Sequence, residues 1–188
     1  MREISVLLVG VGGYGEVYAR AMLEEGSALG LCLAGVADPF AARCTRIAEL
    51  SARAPVFASM EDFFAAGLSA DLAVIATPIG FHAPMIYTAL AHGCHVLCEK
   101  PLCADDAQAE EILSAARASG KLVSVGYQWA HCMGMNALKD DILAGVYGAP
   151  KRMRTLCLVP RDDKYFARST GWAGRIRDTQ GRLVNDSP

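Results

Sequence analysis

Short apolar runs recur along the first two thirds of the chain, and each is followed by a stretch with helical spacing. The apolar runs cover residues 4–9, 31–38, 56–58, 71–77, 95–98 and 122–126. The segments with helical spacing cover residues 16–25, 40–51, a short stretch after Ser59, 81–91 and 104–119. Fully apolar runs are typical of parallel strands that are covered on both faces. The alternation therefore predicts an α/β fold with a doubly wound parallel sheet, which we assign to one domain over residues 1–126.

The pattern changes after residue 126. Residues 135–144 have helical spacing and end at Gly145, and residues 151–159 alternate as a strand with one solvent-facing side would. Residues 160–188 are polar and show no clear periodicity. A structureless tail of this length is uncommon in a compact domain. We therefore expect residues 127–188 to be the incomplete start of an α+β second domain.

A glycine-rich turn follows the first predicted strand directly. Its residues are Gly10, Val11, Gly12, Gly13, Tyr14 and Gly15. The order strand, G-x-G-x-x-G, helix is the context expected of a dinucleotide-binding turn in a Rossmann-type sheet. Gly10 permits the tight turn, Gly12 lets a pyrophosphate approach the backbone, and Gly15 lets helix and strand pack closely. The helix N-terminus offers N–H groups to the phosphates.

An acidic residue, Asp38, ends the second predicted strand. Its distance from the glycine turn is close to that at which this fold places a carboxylate on the adenosine ribose. A carboxylate accepts hydrogen bonds from ribose hydroxyls and repels a 2′-phosphate, so we expect NAD rather than NADP. Arg43 and Arg46 keep NADP possible, and a capping role for Asp38 in the next helix stays open.

Polar or special residues follow three predicted strands. They are Thr77, Pro78 and His82 after one strand, Glu99, Lys100 and Pro101 after the next, and Tyr127 and Gln128 after the last. Ligands of open parallel sheets bind beyond the carboxyl ends of the strands. We therefore expect these residues to line the nicotinamide half of the site.

Lys100 is the candidate proton-transfer group. Oxidation of an alcohol by hydride transfer requires a positioned group that takes the hydroxyl proton. Glu99 lies on the opposite side of the chain if strand geometry persists, where it would anchor the strand end or help orient the lysine. On residue types alone, a surface charge pair of Glu99 and Lys100 at a turn is favoured, because exposed ion pairs are common.

Charge is unevenly distributed along the chain. The formal net charge is −2, with 9 basic and 16 acidic residues in 1–150 and 9 basic and 4 acidic residues in 151–188. The basic residues of the second segment are dispersed among acids, with no basic helix or aromatic platform. We therefore expect that segment to face solvent or an anionic substrate rather than nucleic acid.

The cysteines and the first residues of the sequence indicate in which cellular compartment the protein is expected. The seven cysteines lie mostly in apolar runs without paired spacing, which favours reduced thiols and no metal site. The first residues lack a signal-peptide layout, and no apolar run approaches the ~20 residues of a membrane span. We expect a cytoplasmic protein without membrane contacts.

Several of these motifs together resemble the Gfo/Idh/MocA family of NAD(P)-dependent oxidoreductases. They are the glycine turn, Asp38, Ala76-Thr77-Pro78 with His82, Glu99-Lys100-Pro101-Leu102, Gly126-Tyr127-Gln128 and Ile142 to Pro150. The resemblance implies that Lys100 contacts substrate and nicotinamide and that Lys100–Pro101 is a cis peptide. The expected cofactor contacts are Gly10, Gly12, Gly13, Tyr14, Gly15, Asp38, Thr77, Pro78, His82, Glu99 and Gln128.

The same resemblance implies a longer protein with a second α/β domain that forms the substrate wall and an oligomer interface. Asp186 matches the aspartate of the family's Asp-x-x-x-His motif, so Lys100 and Asp186 are the expected catalytic residues. The implied activity is hydride transfer between NAD, or NADP, and a sugar, polyol or related secondary alcohol by a homo-oligomer. We expect the given chain to be truncated within its second domain.

Two other functions remain possible from the sequence. One is a non-catalytic NAD-binding sensor or assembly module. The other is an S-adenosylmethionine-dependent methyltransferase, which shares a glycine-rich first turn and an acid after the second strand. The methyltransferase gives no reason for Glu99-Lys100-Pro101, and we rank it last.

Overall fold

Six parallel strands form one sheet in the computed structural model, which describes residues 2–167 and 174–184. The strands are β1 Ile4–Val9, β2 Leu31–Ala37, β3 Val56–Phe57, β4 Leu72–Ile75, β5 His95–Cys98 and β6 Val123–Val125. Their spatial order is β3-β2-β1-β4-β5-β6, the order of dinucleotide-binding sheets. The predicted Rossmann-type doubly wound sheet is confirmed.

Helices connect the strands and continue beyond them. The helices are α1 Gly15–Glu24, α2 Ile47–Ser51, α3 Met60–Ala65, α4 His82–Ala91, α5 Asp106–Ser119, α6 Gln128–His131, α7 Met133–Leu143 and α8 Asp163–Phe166. Side-chain caps begin three of them, α3, α5 and α8, the last through Asp162, which accepts the Tyr165 N–H. Ser59 accepts the Asp62 N–H, and Asp105 accepts the Gln108 N–H. Gly120 ends α5 in the left-handed conformation.

The apolar strands are buried on both faces because helices cover the sheet from two sides. Leu7 and Val9 of β1 point into one core, which α3, α4 and α5 complete. Val6 and Leu8 point into the other core, which α1 and α2 complete. Because alternate residues of β1 serve opposite cores, every position from 6 to 9 is apolar and buried.

One predicted helix, residues 40–51, is wrong in its first half. The segment forms a 3₁₀ turn over Ala41–Arg43, and α2 begins only at Ile47. Cys44 is extended, and the Thr45 N–H donates to the Glu16 carboxylate of α1 instead of a helical carbonyl. The contact with α1 therefore replaces the helical hydrogen bonds that the spacing predicts.

The predicted strand over residues 151–159 is also wrong. These residues have no regular structure and their side chains are exposed. A lone extended segment leaves its N–H and C=O groups without ladder partners, so alternation alone does not produce a strand. Nearby, the predicted helix over 135–144 is confirmed as α7, whereas α6 was not expected.

Within the described part of the chain, the buried apolar side chains lie between Val6 and Ile112, apart from Val184. Val184 belongs to a hairpin over residues 174–184, in which Arg177 and Leu183 form an antiparallel bridge. A domain boundary at residue 126 stays a prediction.

No helix in residues 2–167 and 174–184 has the length and apolar character needed to cross a membrane. The same residues contain no group of three or more His, Cys, Asp or Glu side chains suited to a metal ion. All seven cysteines are free thiols, and Cys44, Cys94 and Cys98 are buried.

Phe63 of α3 provides a direct test of the larger core. It is fully buried, and its ring lies 2.7 Å from where a Cβ on Gly35 of β2 would stand. Phe63→Ala should lower the free energy of unfolding by about 3–5 kcal/mol, measured by urea denaturation, because it leaves a cavity against the sheet. Leu113→Ala, at a half-exposed α5 position, is the control and should cost less than about 1 kcal/mol. Equal losses in the two variants would contradict this packing.

Candidate functional site

The glycine turn after β1 is shaped by close backbone contacts. Gly10 has a φ of +80°, and a Cβ there would lie 2.9 Å from the Ala76 carbonyl oxygen. A Cβ on Gly15 would lie 2.2 Å from the Gly10 carbonyl oxygen. A Cβ on Gly12, in contrast, would meet nothing within 4 Å. The turn is therefore tight toward the protein and open toward solvent at Gly12, the arrangement that a pyrophosphate requires.

Two neighbouring positions complete the turn. Gly13 also has a positive φ of +55°, and Tyr14 is exposed just before α1. The α1 helix begins at Gly15, and its first N–H groups donate to carbonyl oxygens of the turn, Gly15 to Gly12 at 2.9 Å, Glu16 to Gly13 at 3.3 Å and Val17 to Tyr14 at 3.0 Å. The N-terminal end of α1, which carries the positive end of the helix dipole, therefore lies at this turn and favours an anion such as a phosphate there.

Asp38, at the end of β2, contacts the glycine turn directly. One carboxylate oxygen accepts the Val11 N–H at 2.9 Å, and the other accepts the Phe40 N–H at 2.7 Å. Asp38 therefore caps the turn that follows it and also holds the glycine turn. An ionised carboxylate has about four acceptor positions. Both oxygens therefore keep capacity for ribose hydroxyls.

The arginines that could favour a 2′-phosphate are engaged elsewhere. Arg46 forms ion pairs with Glu24, at 2.8 Å, and with Glu49. The Arg43 guanidinium lies over the Phe40 ring, 4.6 Å from its centroid. With the Asp38 carboxyl group beside the turn, this arrangement favours NAD over NADP.

His82 lies behind the expected nicotinamide region rather than at its surface. It is 1% exposed, and its two ring nitrogens lie 2.7 Å from the Pro101 carbonyl oxygen and 2.8 Å from the Thr77 carbonyl oxygen. The ring therefore ties the segment after β4 to the segment after β5. In this position His82 supports the site, and a direct contact with a cofactor would need the ring to move. Thr77 is half-buried there, and Pro78 is exposed.

At the end of β5, two adjacent charged residues, Glu99 and Lys100, lie in different surroundings. Glu99 is 7% exposed, whereas Lys100 is exposed. One carboxylate oxygen of Glu99, Oε2, accepts the Lys100 N–H at 3.1 Å. The arrangement is thus not a surface ion pair, because one partner lies inside the protein. The Lys100–Pro101 peptide bond is cis, as the resemblance implied.

The end of β6 completes this edge of the sheet. The Gly126 N–H donates to the Cys98 carbonyl at 2.8 Å, which brings the β6 end beside Glu99. Tyr127 and Gln128 follow, and both side chains are exposed. Asp186, the second expected catalytic residue, lies outside the described residues.

Sequence reasoning missed two residues near the site. Tyr18, one turn into α1, donates a 2.6 Å hydrogen bond to Glu99 across 81 positions of sequence. Arg182 of the hairpin places its guanidinium 3.7 Å from the centroid of the Phe81 ring and pairs with Asp178 at 2.8 Å. Arg182 also packs closely against Gly80, where a Cβ would lie 3.0 Å from the Arg182 Cβ, and no local sequence pattern indicates this contact.

The geometry brings the ends of β1, β4, β5 and β6 together at one edge. This edge offers an open glycine turn, an acid beside it and an exposed lysine. The open space at Gly12 and the anchored Asp38 fit a dinucleotide. Such a set of groups can hold a dinucleotide at this edge of the sheet.

Comparison with known proteins agrees with this geometry. Residues 4–127 match the family model described as oxidoreductase family, NAD-binding Rossmann fold (GFO_IDH_MocA). The chain is 33% identical over 153 residues to inositol 2-dehydrogenase 4 of Saccharopolyspora erythraea, covering 81% of this chain and 44% of that protein. It is 31% identical over 148 residues to the rhizopine catabolism protein MocA of Rhizobium meliloti, covering 79% and 45%.

A solved structure with similar architecture is the WlbA dehydrogenase from Bordetella pertussis in complex with NADH and UDP-GlcNAcA. It superposes with a TM-score of 0.66 at 27% identity, covering 77% of this chain and 42% of that one. The chain thus spans less than half the length of these relatives. Because the family model covers about two thirds of the chain, including the whole sheet, the chain belongs to the Gfo/Idh/MocA family of oxidoreductases and carries its NAD-binding Rossmann domain.

Proposed function

We propose that the protein transfers a hydride between NAD and a secondary alcohol of a sugar or polyol, with Lys100 as the proton-transfer group. The observation that carries the proposal is the exposed Lys100, held at the same sheet edge as the open glycine turn. The substrate class is supported by relatives named for inositol and by a related structure that contains a UDP-sugar. NAD, when bound, supplies the hydride acceptor or donor.

Different residues of this chain would bind the cofactor and transfer the proton. The glycine turn would bind the pyrophosphate, and Asp38 would accept hydrogen bonds from the ribose hydroxyls. Thr77, Pro78 and Gln128 would line the nicotinamide half of the site. Lys100 would take the hydroxyl proton as the alcohol is oxidised, or return it in the reverse direction.

Further residues would act in the same reaction. Asp186 would assist Lys100 at the substrate, as the family motif implies. Glu99 and His82 would hold the Lys100 segment. Self-association also belongs to the proposal, and the apolar side chains exposed on α7 and residues 146–159 are surfaces that could support it.

Two glycine substitutions separate cofactor binding from folding. Gly12→Ala should leave the unfolding free energy nearly unchanged, because its Cβ enters open space, yet raise the dissociation constant for NAD about tenfold or more by blocking the pyrophosphate. Gly15→Ala should destabilise the fold by about 1–3 kcal/mol, because its Cβ meets a backbone oxygen. Calorimetric titration with NAD and urea unfolding measure the two effects.

Titration of the unmodified chain with NADP and S-adenosylmethionine is the accompanying control. NAD should bind most tightly, since Asp38 repels a 2′-phosphate and Arg46 is engaged with glutamates. Tighter binding of S-adenosylmethionine would overturn the cofactor assignment. Unchanged NAD affinity in Gly12→Ala would contradict the proposed pyrophosphate position.

Lys100→Met tests the chemistry. The full chain is assayed by NADH absorbance against a panel of polyols and sugar nucleotides, after NAD binding has been measured. We expect NAD affinity within about threefold of the unmodified chain and turnover reduced at least ~100-fold, the lower range for a positioned acid–base group. Lys139→Met, at an exposed α7 position, should change neither.

Unchanged turnover in Lys100→Met would refute the role of the lysine. NAD binding by the unmodified chain, without turnover of any substrate in the panel, would instead favour the non-catalytic NAD-binding function.

A further inference from the structure

A hydrogen-bonded chain links the helix behind the glycine turn to the backbone of Lys100. The Tyr18 hydroxyl donates to one oxygen of Glu99 at 2.6 Å, and the other oxygen accepts the Lys100 N–H at 3.1 Å. The two residues that Glu99 connects both bear on the proposed reaction. Tyr18 belongs to α1, which begins at the proposed pyrophosphate turn, and Lys100 is the proposed proton-transfer group. Glu99 connects them from inside the protein.

The carboxylate has little room to adopt another position. Glu99 is 7% exposed, and a Cβ on Gly126 would lie 2.7 Å from its Oε1 and 3.1 Å from the Tyr18 hydroxyl. A buried carboxylate must keep its hydrogen-bond donors, since an unmet acceptor costs more free energy than an ordinary hydrogen bond contributes. Tyr18 is therefore important to the placement of Glu99.

The Tyr18 ring is itself held in place. Its edge contact with Tyr14 of the glycine turn has a centroid distance of 6.1 Å and an interplanar angle of 69°. Tyr18 thus contacts the cofactor turn through its ring and Glu99 through its hydroxyl. A phenylalanine at this position would keep the first contact and lose the second.

We propose that Tyr18 is a positioning residue of the reaction, which fixes the Lys100 backbone through Glu99 and so couples the pyrophosphate turn to the proton-transfer group. The inference rests on the proposed function, which gives Lys100 its role. The hydrogen-bonded chain, however, can be measured without any turnover.

The ionisation of Tyr18 gives one test of its bond to Glu99. Burial, and then the hydrogen bond to Glu99, raise the pKa of the Tyr18 phenol above its ordinary value, and the nearby Tyr14 and Cys98 act in the same direction. The Lys100 N–H donates to the same carboxylate. An unfolded tyrosine titrates near pH ~10, so above that pH the folded state keeps a proton that the unfolded state has lost, and stability falls.

We therefore expect the stability advantage of the unmodified chain over Tyr18→Phe to be constant up to about pH 9 and to shrink above about pH 10. Urea unfolding of both chains at several pH values measures the difference between their unfolding free energies. Titratable groups that are common to both chains contribute equally to each, so their effects cancel in the difference. A difference that grows with pH would contradict the bond between the phenol and the carboxylate.

The decisive experiment compares Tyr18→Phe with Tyr87→Phe. Tyr87 makes the same kind of bond, from its hydroxyl to Glu111 at 3.0 Å, between α4 and α5 and away from the site. The rate of hydrogen–deuterium exchange at the Lys100 amide directly measures how well the hydrogen bond from Lys100 to Glu99 is kept. Tyr18→Phe should speed that exchange about tenfold or more, the effect of weakening a bond to a charged group, and Tyr87→Phe should not.

Gly126→Ala provides a second variant that keeps the Tyr18 hydroxyl but displaces the Glu99 oxygen, and it should also speed exchange at Lys100.

In the kinetic assay, Tyr18→Phe should lower kcat about tenfold with NAD affinity within about twofold, since the glycine turn is intact. Exchange at Lys100 that is unchanged in Tyr18→Phe, or equally faster in Tyr87→Phe, overturns the proposal. Faster exchange with unchanged kcat refutes the positioning role, whereas failure of Lys100→Met to lose turnover refutes the proposed function instead.

Discussion

The close approach of backbone segments at the turn after β1 is the constraint on which the site depends. Gly10 passes within contact of Ala76 at the end of β4, and Gly15 passes the Gly10 carbonyl so closely that no side chain would fit. This contact sets the direction of α1 and leaves Gly12 open to solvent. It also brings the Val11 N–H to Asp38, so the glycine turn and the acid proposed to bind the ribose support each other.

The direction of α1 has a second consequence at the far end of the site. Because α1 leaves the turn beside β1 and β4, its first turn carries Tyr18 to Glu99 at the end of β5. Glu99 then lies buried behind the strand end while Lys100 is exposed. Two adjacent residues thus differ in their surroundings, since Glu99 holds the backbone from inside the protein and the Lys100 side chain is exposed to solvent.

His82 and Arg182 add support from the β4 side. The imidazole of His82 joins the carbonyl groups of Thr77 and Pro101, which keeps the ends of β4 and β5 at a fixed separation. Arg182 packs on Phe81 and brings the hairpin over residues 174–184 against the start of α4. The open glycine turn and the exposed lysine are therefore surrounded by fixed elements, which is what precise positioning of a reacting group requires.

The sequence by itself determined the six strands, most of the helices between them and the glycine turn, because each depends on local spacing and on burial of both faces of the sheet. It failed at residues 40–45, where a contact from Thr45 to Glu16 replaces helical bonds, and at residues 151–159, where alternation has no partner strand. The tertiary structure alone decided the pairing of Tyr18 with Glu99, the burial of His82 and the packing of Arg182 on Phe81. Tyr18 with Glu99, His82 with Pro101 and Arg182 with Phe81 each join separate elements, so no local periodicity indicates these contacts, and they form only when the fold brings the elements together.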